Sequence, residues 1–298
     1  MLKQSGIKVP VFVHANMVVI LTKVTHLRSI TCMKALIIDK AALWLEEIPS
    51  TNAFVLEQCR KGQAVSGMMV AAHRQTAGRG QWQASWLSAP GASLACSFAL
   101  HLGEMDVFTP EGVSGPSFLP ITRLHMAIAL GAYDYLKMRN MPQPNIKWPN
   151  DLVVNEAKVG GILTESFAEN MRVKWLVVGI GLNLHIQTFP PHLPHAASLS
   201  QFSGHTYQPA IELALLTDCL NQRLKQWQTG PAHKLIEAYY AALIGFETWR
   251  MFKLPEGDWF SGKILGVTSE GHLKLETDTG EVLEKGVREI IWDWRKGE

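Results

Sequence analysis

Leu94-Ala95-Cys96-Ser97-Phe98-Ala99-Leu100 sets Leu94, Cys96, Phe98 and Leu100 at every second position, with small or polar partners between them. Side chains of an extended chain point alternately to opposite faces, so this period marks a strand. Outward from it, the same reading finds strands at Leu36 to Ile38, Met68 to Ala72, Ile162 to Phe167 and Trp175 to Ile180. Between them the period lengthens. Ile121, Leu124, Ile128, Tyr135 and Leu136 fall on one helical face, as do Leu216, Leu220, Leu224 and Trp227, and a third helix runs through Leu235, Ile236, Tyr239 and Leu243. Ser50, Thr51 and Asn52 stand just before Val55, Leu56 and Cys59, where one of the three can cap a further helix. Apolar runs alternating with amphipathic segments predict a sheet covered by helices.

After Gly245 the texture changes. Phe252, Phe260 to Val267, His272 to Glu276 and Ile290 to Trp292 read as short strands parted by Glu270-Gly271 and Thr279-Gly280, which predicts a small barrel. The expected plan is an N-terminal extension (1–34), a main domain (35–245) and the barrel (246–298). A chain of 298 residues exceeds the size at which one core usually stops growing, which suits a large domain with a small companion. Residues up to Cys32 show no periodicity, and Met33-Lys34 offers an alternative start, so no function is placed there.

Hydrophobic residues make up 47% of the chain and charged ones 18%, enough apolar surface for a real core. The net charge of +2 supplies no pull toward phosphate backbones or anionic lipid, so neither nucleic acid nor membrane is expected as a partner. Cys32, Cys59, Cys96 and Cys219 lack metal-site spacing and read as reduced thiols. The apolar run Met17 to Leu21 is far shorter than the roughly 18 residues that span a bilayer, and it lacks a signal-peptide cleavage pattern. A cytoplasmic protein is expected.

Three segments carry chemistry. In Gln75-Thr76-Ala77-Gly78-Arg79-Gly80-Gln81, two glycines flank an arginine, so backbone N–H groups and a guanidinium fork can meet an anion. The same pattern also fits a hairpin tip with a solvated arginine. In Ile146-Lys147-Trp148-Pro149-Asn150-Asp151, the proline disfavours helix before it, which puts Lys147 at the end of an extended segment with its ammonium directed into a cleft. Lys158-Val159-Gly160-Gly161 follows, where absent Cβ atoms admit a flat ligand, although a turn with a bulged strand fits too. Val177 to Leu184 is an apolar strand interrupted by Gly179 and Gly181 and ending at Asn183, whose amide can read a heterocycle edge or simply form a turn. No segment matches the phosphate loop of classical nucleotide-loop ATPases.

Ser50-Thr51-Asn52, Gln75-x-x-Gly78-Arg79-Gly80, Trp86, Lys147-Trp148-Pro149-Asn150-Asp151, Lys158-x-Gly160-Gly161 and Gly179-x-Gly181-x-Asn183 occur in the order and approximate spacing of the biotin protein ligases. From about Ala42 onward the chain resembles that family, most specifically in the lysine-Trp-Pro-Asn-Asp block. The resemblance implies an α+β fold like that of class II aminoacyl-tRNA synthetases, with a mixed sheet, helices on one side and an SH3-like C-terminal domain. It implies that ATP and biotin react, with Mg²⁺, to biotinyl-5′-AMP, and that biotin passes to a lysine of a biotin carboxyl carrier protein. Ser50, Thr51, Asn52, Gln75, Gly78, Gly80, Gln81, Gly160 and Gly161 would surround biotin. Arg79 and Lys147 would act on the reacting carboxylate and α-phosphate, while Trp86, Asn150 and Asn183 would meet the nucleotide, Asn183 as adenine reader. Metal ligands are left unassigned.

Many family members continue the loop as GRGRxGRxW, whereas here it reads Gly78-Arg79-Gly80-Gln81-Trp82-Gln83-Ala84-Ser85-Trp86, with Arg79 as its only cation. Phe189 to Leu199 also offers no tryptophan to stack on adenine. Fewer residues precede the match than the N-terminal winged helix of some members needs, so no DNA binding is expected. A homodimer through a sheet edge is compatible with this plan. Competing readings are a protein that holds biotin or its adenylate without transfer, and a lipoate ligase.

Overall fold

In the computed structural model, which describes residues 35–81, 84–102, 119–169 and 172–292, the main part of the chain alternates strands with helices. It runs through β1 (Ala42–Ile48), α1 (Thr51–Arg60), β2 (Met69–Gln75), β3 (Ser93–His101), α2 (Leu119–Met138), β4 (Pro144–Lys147), β5 (Asp151–Val154), β6 (Ala157–Glu169) and β7 (Arg172–Asn183). Three helices follow, α3 (Leu199–Ser203), α4 (Pro209–Thr229) and α5 (Ala232–Ala242). The seven strands form one sheet in the order β1-β2-β3-β7-β6-β5-β4. β1 pairs β2 in parallel and the other neighbours are antiparallel, so the sheet is mixed.

The alternation in β3 explains how the two faces differ. Leu94, Cys96, Phe98 and Leu100 enter the large core with Leu124 and Ile128 of α2 and Leu216 and Leu220 of α4. Burying each such side chain contributes roughly 1.5–3 kcal/mol. On the opposite face, Ala99 joins Val70 and Val177 beneath Val55, Leu56 and Cys59 of α1. α1 begins where it does because Ser50, in extended conformation, accepts a hydrogen bond from the Ala53 N–H at 3.4 Å. That helix covers only part of the small-residue face, and the remainder holds the site described below.

One strand expectation changes. Leu36 to Ile38 is not a strand: the Asn221 side chain takes both the Ile38 N–H (2.7 Å) and the Ile38 carbonyl (3.0 Å), in place of a ladder. The first strand is instead β1, an edge strand whose burial follows no clean alternation, and so it carried no period to read.

Five short strands, β8 (Trp249–Lys253), β9 (Trp259–Val267), β10 (Leu273–Thr277), β11 (Val282–Lys285) and β12 (Ile291–Trp292), make a second sheet ordered β11-β10-β9-β8-β12. All its pairings are antiparallel, in keeping with a small SH3-like unit. Its core stacks Phe252 on Trp292, with ring centroids 5.5 Å apart and planes 7° from parallel. The Thr122 hydroxyl donates to the Ser269 carbonyl (2.6 Å) and the Trp148 Nε1 donates to the Gly271 carbonyl (3.2 Å), tying this sheet to the first. No helix among the described residues is long and apolar enough to cross a membrane. Cys59, Cys96 and Cys219 are free and buried, while Cys32 and the expected N-terminal extension lie outside the described residues.

Candidate active site

The site is built on the three central strands. Register places Ala95 and Ser97 of β3 beside Gly181 and Gly179 of β7, and these beside Gly161 and Leu163 of β6. Small side chains on one face of three adjacent strands leave a hollow, here a cavity of about 180 Å³. A Cβ on Gly179 would lie 2.9 Å from Asn52 Oδ1, and one on Gly181 only 2.4 Å from Trp86 Cε2. Glycine is therefore what lets Asn52 and Trp86 come down onto the sheet.

One end of the cavity is a network of neutral polar groups. Gln75 Oε1 accepts from the Thr51 backbone N–H (2.8 Å) and from the Thr51 hydroxyl (3.1 Å), and that hydroxyl lies 2.8 Å from Ser97 Oγ. With its oxygen so engaged, Gln75 is left with its amide N–H groups as donors. Two buried polar atoms of the cavity walls, Asn52 Oδ1 and Trp86 Nε1, have no partner among the described residues. A buried polar atom without a partner costs about 1–3 kcal/mol, so one acceptor and one donor stand ready for a ligand carrying both kinds of group.

The other end is ionic. Arg79 sits on a hairpin closed by hydrogen bonds from Gly80 N–H to the Ala84 carbonyl (2.6 Å) and from Trp86 N–H to the Gly78 carbonyl (2.9 Å). Its Nη2 donates to Glu165 Oε2 at 3.0 Å, and the same oxygen accepts from Asn52 Nδ2 at 2.5 Å. Lys158, at the start of β6, places Nζ 2.6 Å from Asp151 Oδ1. Arg79, Lys158, Asp151 and Asn150 all line the cavity. On its outer side, the segment Arg79 to Gln81 borders a second hollow shared with Leu163, Thr164, Glu165 and Val287.

Lys147 is not part of this lining. It lies on β4, the outermost strand, so Asp151 and Lys158 stand between it and the cavity. Its ammonium is 3.6 Å from Asp151 Oδ2 and 5.8 Å from the centre of the Trp292 ring. Burial pushes its pKa down, against the opposing pull of the Asp151 carboxylate. Among the described residues, the cations that converge on the cavity are Arg79 and Lys158.

The family model for biotin/lipoate A/B protein ligases matches residues 44–183, the span that holds every residue lining the cavity. Over 241 residues the chain is 31% identical to the bifunctional ligase/repressor BirA of Bacillus spizizenii, an alignment covering 79% of this chain and 69% of that one. The chain belongs to the biotin protein ligase family. Biotin–[acetyl-CoA-carboxylase] ligase of Paracoccus denitrificans is 34% identical over 179 residues, covering 58% of this chain and 68% of its own. The structure of the biotin protein ligase from Aquifex aeolicus in complex with biotin and ATP matches with a TM-score of 0.66 and 25% identity, covering 85% of this chain and 99% of that one.

In this biotin protein ligase the residues expected from sequence divide into those the fold brings together and those it does not. Ser50, Thr51, Asn52, Gln75, Arg79, Gly80, Gln81, Trp86, Asn150 and Gly161 share the cavity. At Gly160 a Cβ would meet the Gly181 carbonyl and Leu182 Cδ2 at 2.8 Å, and only Gly161 of the pair lines the cavity. Gly78 serves the hairpin, since a Cβ there would lie 2.6 Å from the Trp86 carbonyl oxygen. Asn183 is buried, its Nδ2 donating to the Ala197 carbonyl at 3.0 Å, and it does not reach this cavity. Sequence reasoning named none of Lys158, Asp151, Ser97 and Glu165 as a site residue. Glu165 was findable, since it follows Gly161 and Leu163 at the strand period on the same face.

Proposed function

We propose that this biotin protein ligase activates biotin with ATP to biotinyl-5′-AMP and pyrophosphate, then transfers biotin to a lysine of a biotin carboxyl carrier protein. The observation that carries this reading is the convergence of Arg79 and Lys158 on a cavity whose far end is neutral and rich in paired polar groups. A ureido ring offers N–H donors and a carbonyl acceptor, which suits Asn52 Oδ1, Thr51, Ser97 and the Gln75 amide. An apolar tail suits the Trp86 ring, which rests on Gly161 and Gly181 at the cavity wall.

Activation brings a carboxylate against a polyphosphate, and two anions repel. Lys158 and Arg79 offset that repulsion and stabilise the charge that builds when a carboxylate oxygen attacks the α-phosphorus and pyrophosphate leaves. Asp151 fixes where the Lys158 ammonium points. In the second step the neutral carrier amine attacks the acyl carbon of the mixed anhydride, AMP departs, and an amide forms with loss of a proton. The hairpin of Arg79 positions the partners and limits water, and the hollow on its outer side offers the carrier lysine a route inward. Among the described residues no group of three or more His, Cys, Asp or Glu gathers to hold a metal. Mg²⁺ is assigned to the nucleotide substrate as MgATP, whose phosphates carry it. A cytoplasmic location fits these substrates and the free thiols.

Biotin-dependent exchange of labelled pyrophosphate into ATP tests the first step. Lys158→Ala is expected to lower it by about 10²–10³-fold, the scale for losing one group that stabilises developing charge. A wild-type protein without such exchange overturns the proposal. Retention of the adenylate without transfer is a second reading, favoured by a loop with Arg79 as its only cation. A mass increase on a biotin carboxyl carrier domain eliminates it, and competition between biotin and lipoate in the exchange assay separates the two acid substrates.

A further inference from the structure

We propose that the C-terminal sheet takes part in biotin adenylation through Lys147, a positioning residue held on the back of Asp151 by the face of Trp292. This rests on the ligase reading above.

Asp151 lies between two ammonium groups, with Lys158 2.6 Å from Oδ1 and Lys147 3.6 Å from Oδ2. A lysine held alone at such a distance by one carboxylate is a closed ion pair, slow to turn toward an incoming anion. A second cation on the same carboxylate shares its charge and repels the first, which releases Lys158 toward the cavity. The side chains of Lys147 and Asp151 are only 18% and 17% exposed, so solvent screens this competition weakly.

The second sheet contributes to keeping Lys147 in place. The Trp292 ring lies within cation–π range of its ammonium and is itself stacked on Phe252. The next residue, Trp148, donates its Nε1 hydrogen to the Gly271 carbonyl in the β9–β10 turn. Two consecutive side chains of the β4 end are thus seated on the C-terminal sheet, and the carboxylate that orients Lys158 is one contact away. None of Lys147, Trp148, Gly271 and Trp292 lines the cavity, so substrate binding alone does not account for this arrangement.

The test is pyrophosphate exchange by the full chain carrying Lys147→Met, Lys147→Arg, Trp292→Leu, or Lys147→Met with Trp292→Leu. Lys147→Met is expected to lower kcat by about 10–100-fold while KM for biotin stays within about threefold, and Lys147→Arg to restore most of the rate. Trp292→Leu should lower kcat by about 3–20-fold, the range of a desolvated cation–π contact. Because Trp292 acts through Lys147, the double variant should be no slower than Lys147→Met. Calorimetric biotin binding near wild type shows that a variant has folded. Should Trp292→Leu fail this check, Trp292→Phe, which keeps a ring on Phe252, takes its place. An unchanged kcat in Lys147→Met, or single effects that simply multiply in the double variant, overturns the proposal. Wild type without exchange sinks the ligase reading instead. A readout independent of activity then remains, since limiting acetic anhydride should acetylate Lys158 less in Lys147→Met than in wild type, and equal labelling by peptide mass overturns the positioning role.

Discussion

Glu165 joins the two ends of the cavity through a single oxygen, which accepts from Asn52 at the polar end and from Arg79 on the hairpin. The Arg79 side chain is 44% exposed, so the ion pair adds little stability, under about 1 kcal/mol. Its consequence is competition, because the carboxylate occupies the one loop cation that an incoming phosphate needs. Glu165→Gln keeps an acceptor for Asn52 and removes that charge. KM for ATP in the exchange assay is expected to fall by about 2–5-fold, with little change in thermal midpoint. A rise in KM would mean that Glu165 aims Arg79 rather than restrains it. Gly181 makes a second residue-scale case, since a methyl group there would stand 2.4 Å from Trp86 Cε2 and lift the indole off the floor. Gly181→Ala is expected to weaken biotin binding by at least about tenfold, measured by calorimetry, the scale of the 1–3 kcal/mol that overpacking costs. Gly179 and Gly181 were legible as breaks in an apolar strand. That the gaps admit an amide and an indole was not, because those groups arrive from α1 and from the hairpin.

At the scale of elements, α2 and α4 approach so closely over the sheet that a Cβ on Gly131 would lie 2.8 Å from the Leu220 Cα and 2.9 Å from its Cδ2. Backbone cannot give way as a flexible side chain does. Gly131→Ala should therefore destabilise the fold by about 1–2 kcal/mol, overpacking outweighing the gain of up to about 1 kcal/mol in helix propensity. The denaturation midpoint reads this, and biotin affinity should not move, since neither helix borders the cavity through Gly131. Helical faces such as Leu216, Leu220 and Leu224 were plain in the sequence because an amphipathic helix writes its buried stripe into its own period. Edge elements were not. β1 buries no regular alternation, and β11 keeps Val282 exposed, so each lacks the period that marked β3.

Across the described residues, the core between the mixed sheet and its covering helices reaches the site, so that one of its thiols lies under the cavity. Cys96 lines the cavity, donates to the Ile180 carbonyl and is pushed up by burial to about 12 from an ordinary 9.0. A thiol whose folded pKa exceeds its unfolded one contributes stability that is intact below pH 9 and is lost as pH rises toward 12. By pH 10 the loss is on the order of 1 kcal/mol, so Cys96→Ala should show a flatter fall in denaturation midpoint between pH 8 and 10 than wild type. Equal slopes would show that the thiol ionises without unfolding. The sequence by itself determined the strands and helices of regular period, the polar triplet at the start of α1, the arginine hairpin and two lysine-bearing blocks. It did so because the direction of a side chain along one element follows from that element's own repeat. Which lysine meets the cavity was decided by tertiary structure alone. Lys147 and Lys158 both precede distinctive motifs, but only strand order and register, set by pairing between distant segments, put β6 beside the glycines of β7 and left β4 at the rim against Trp292.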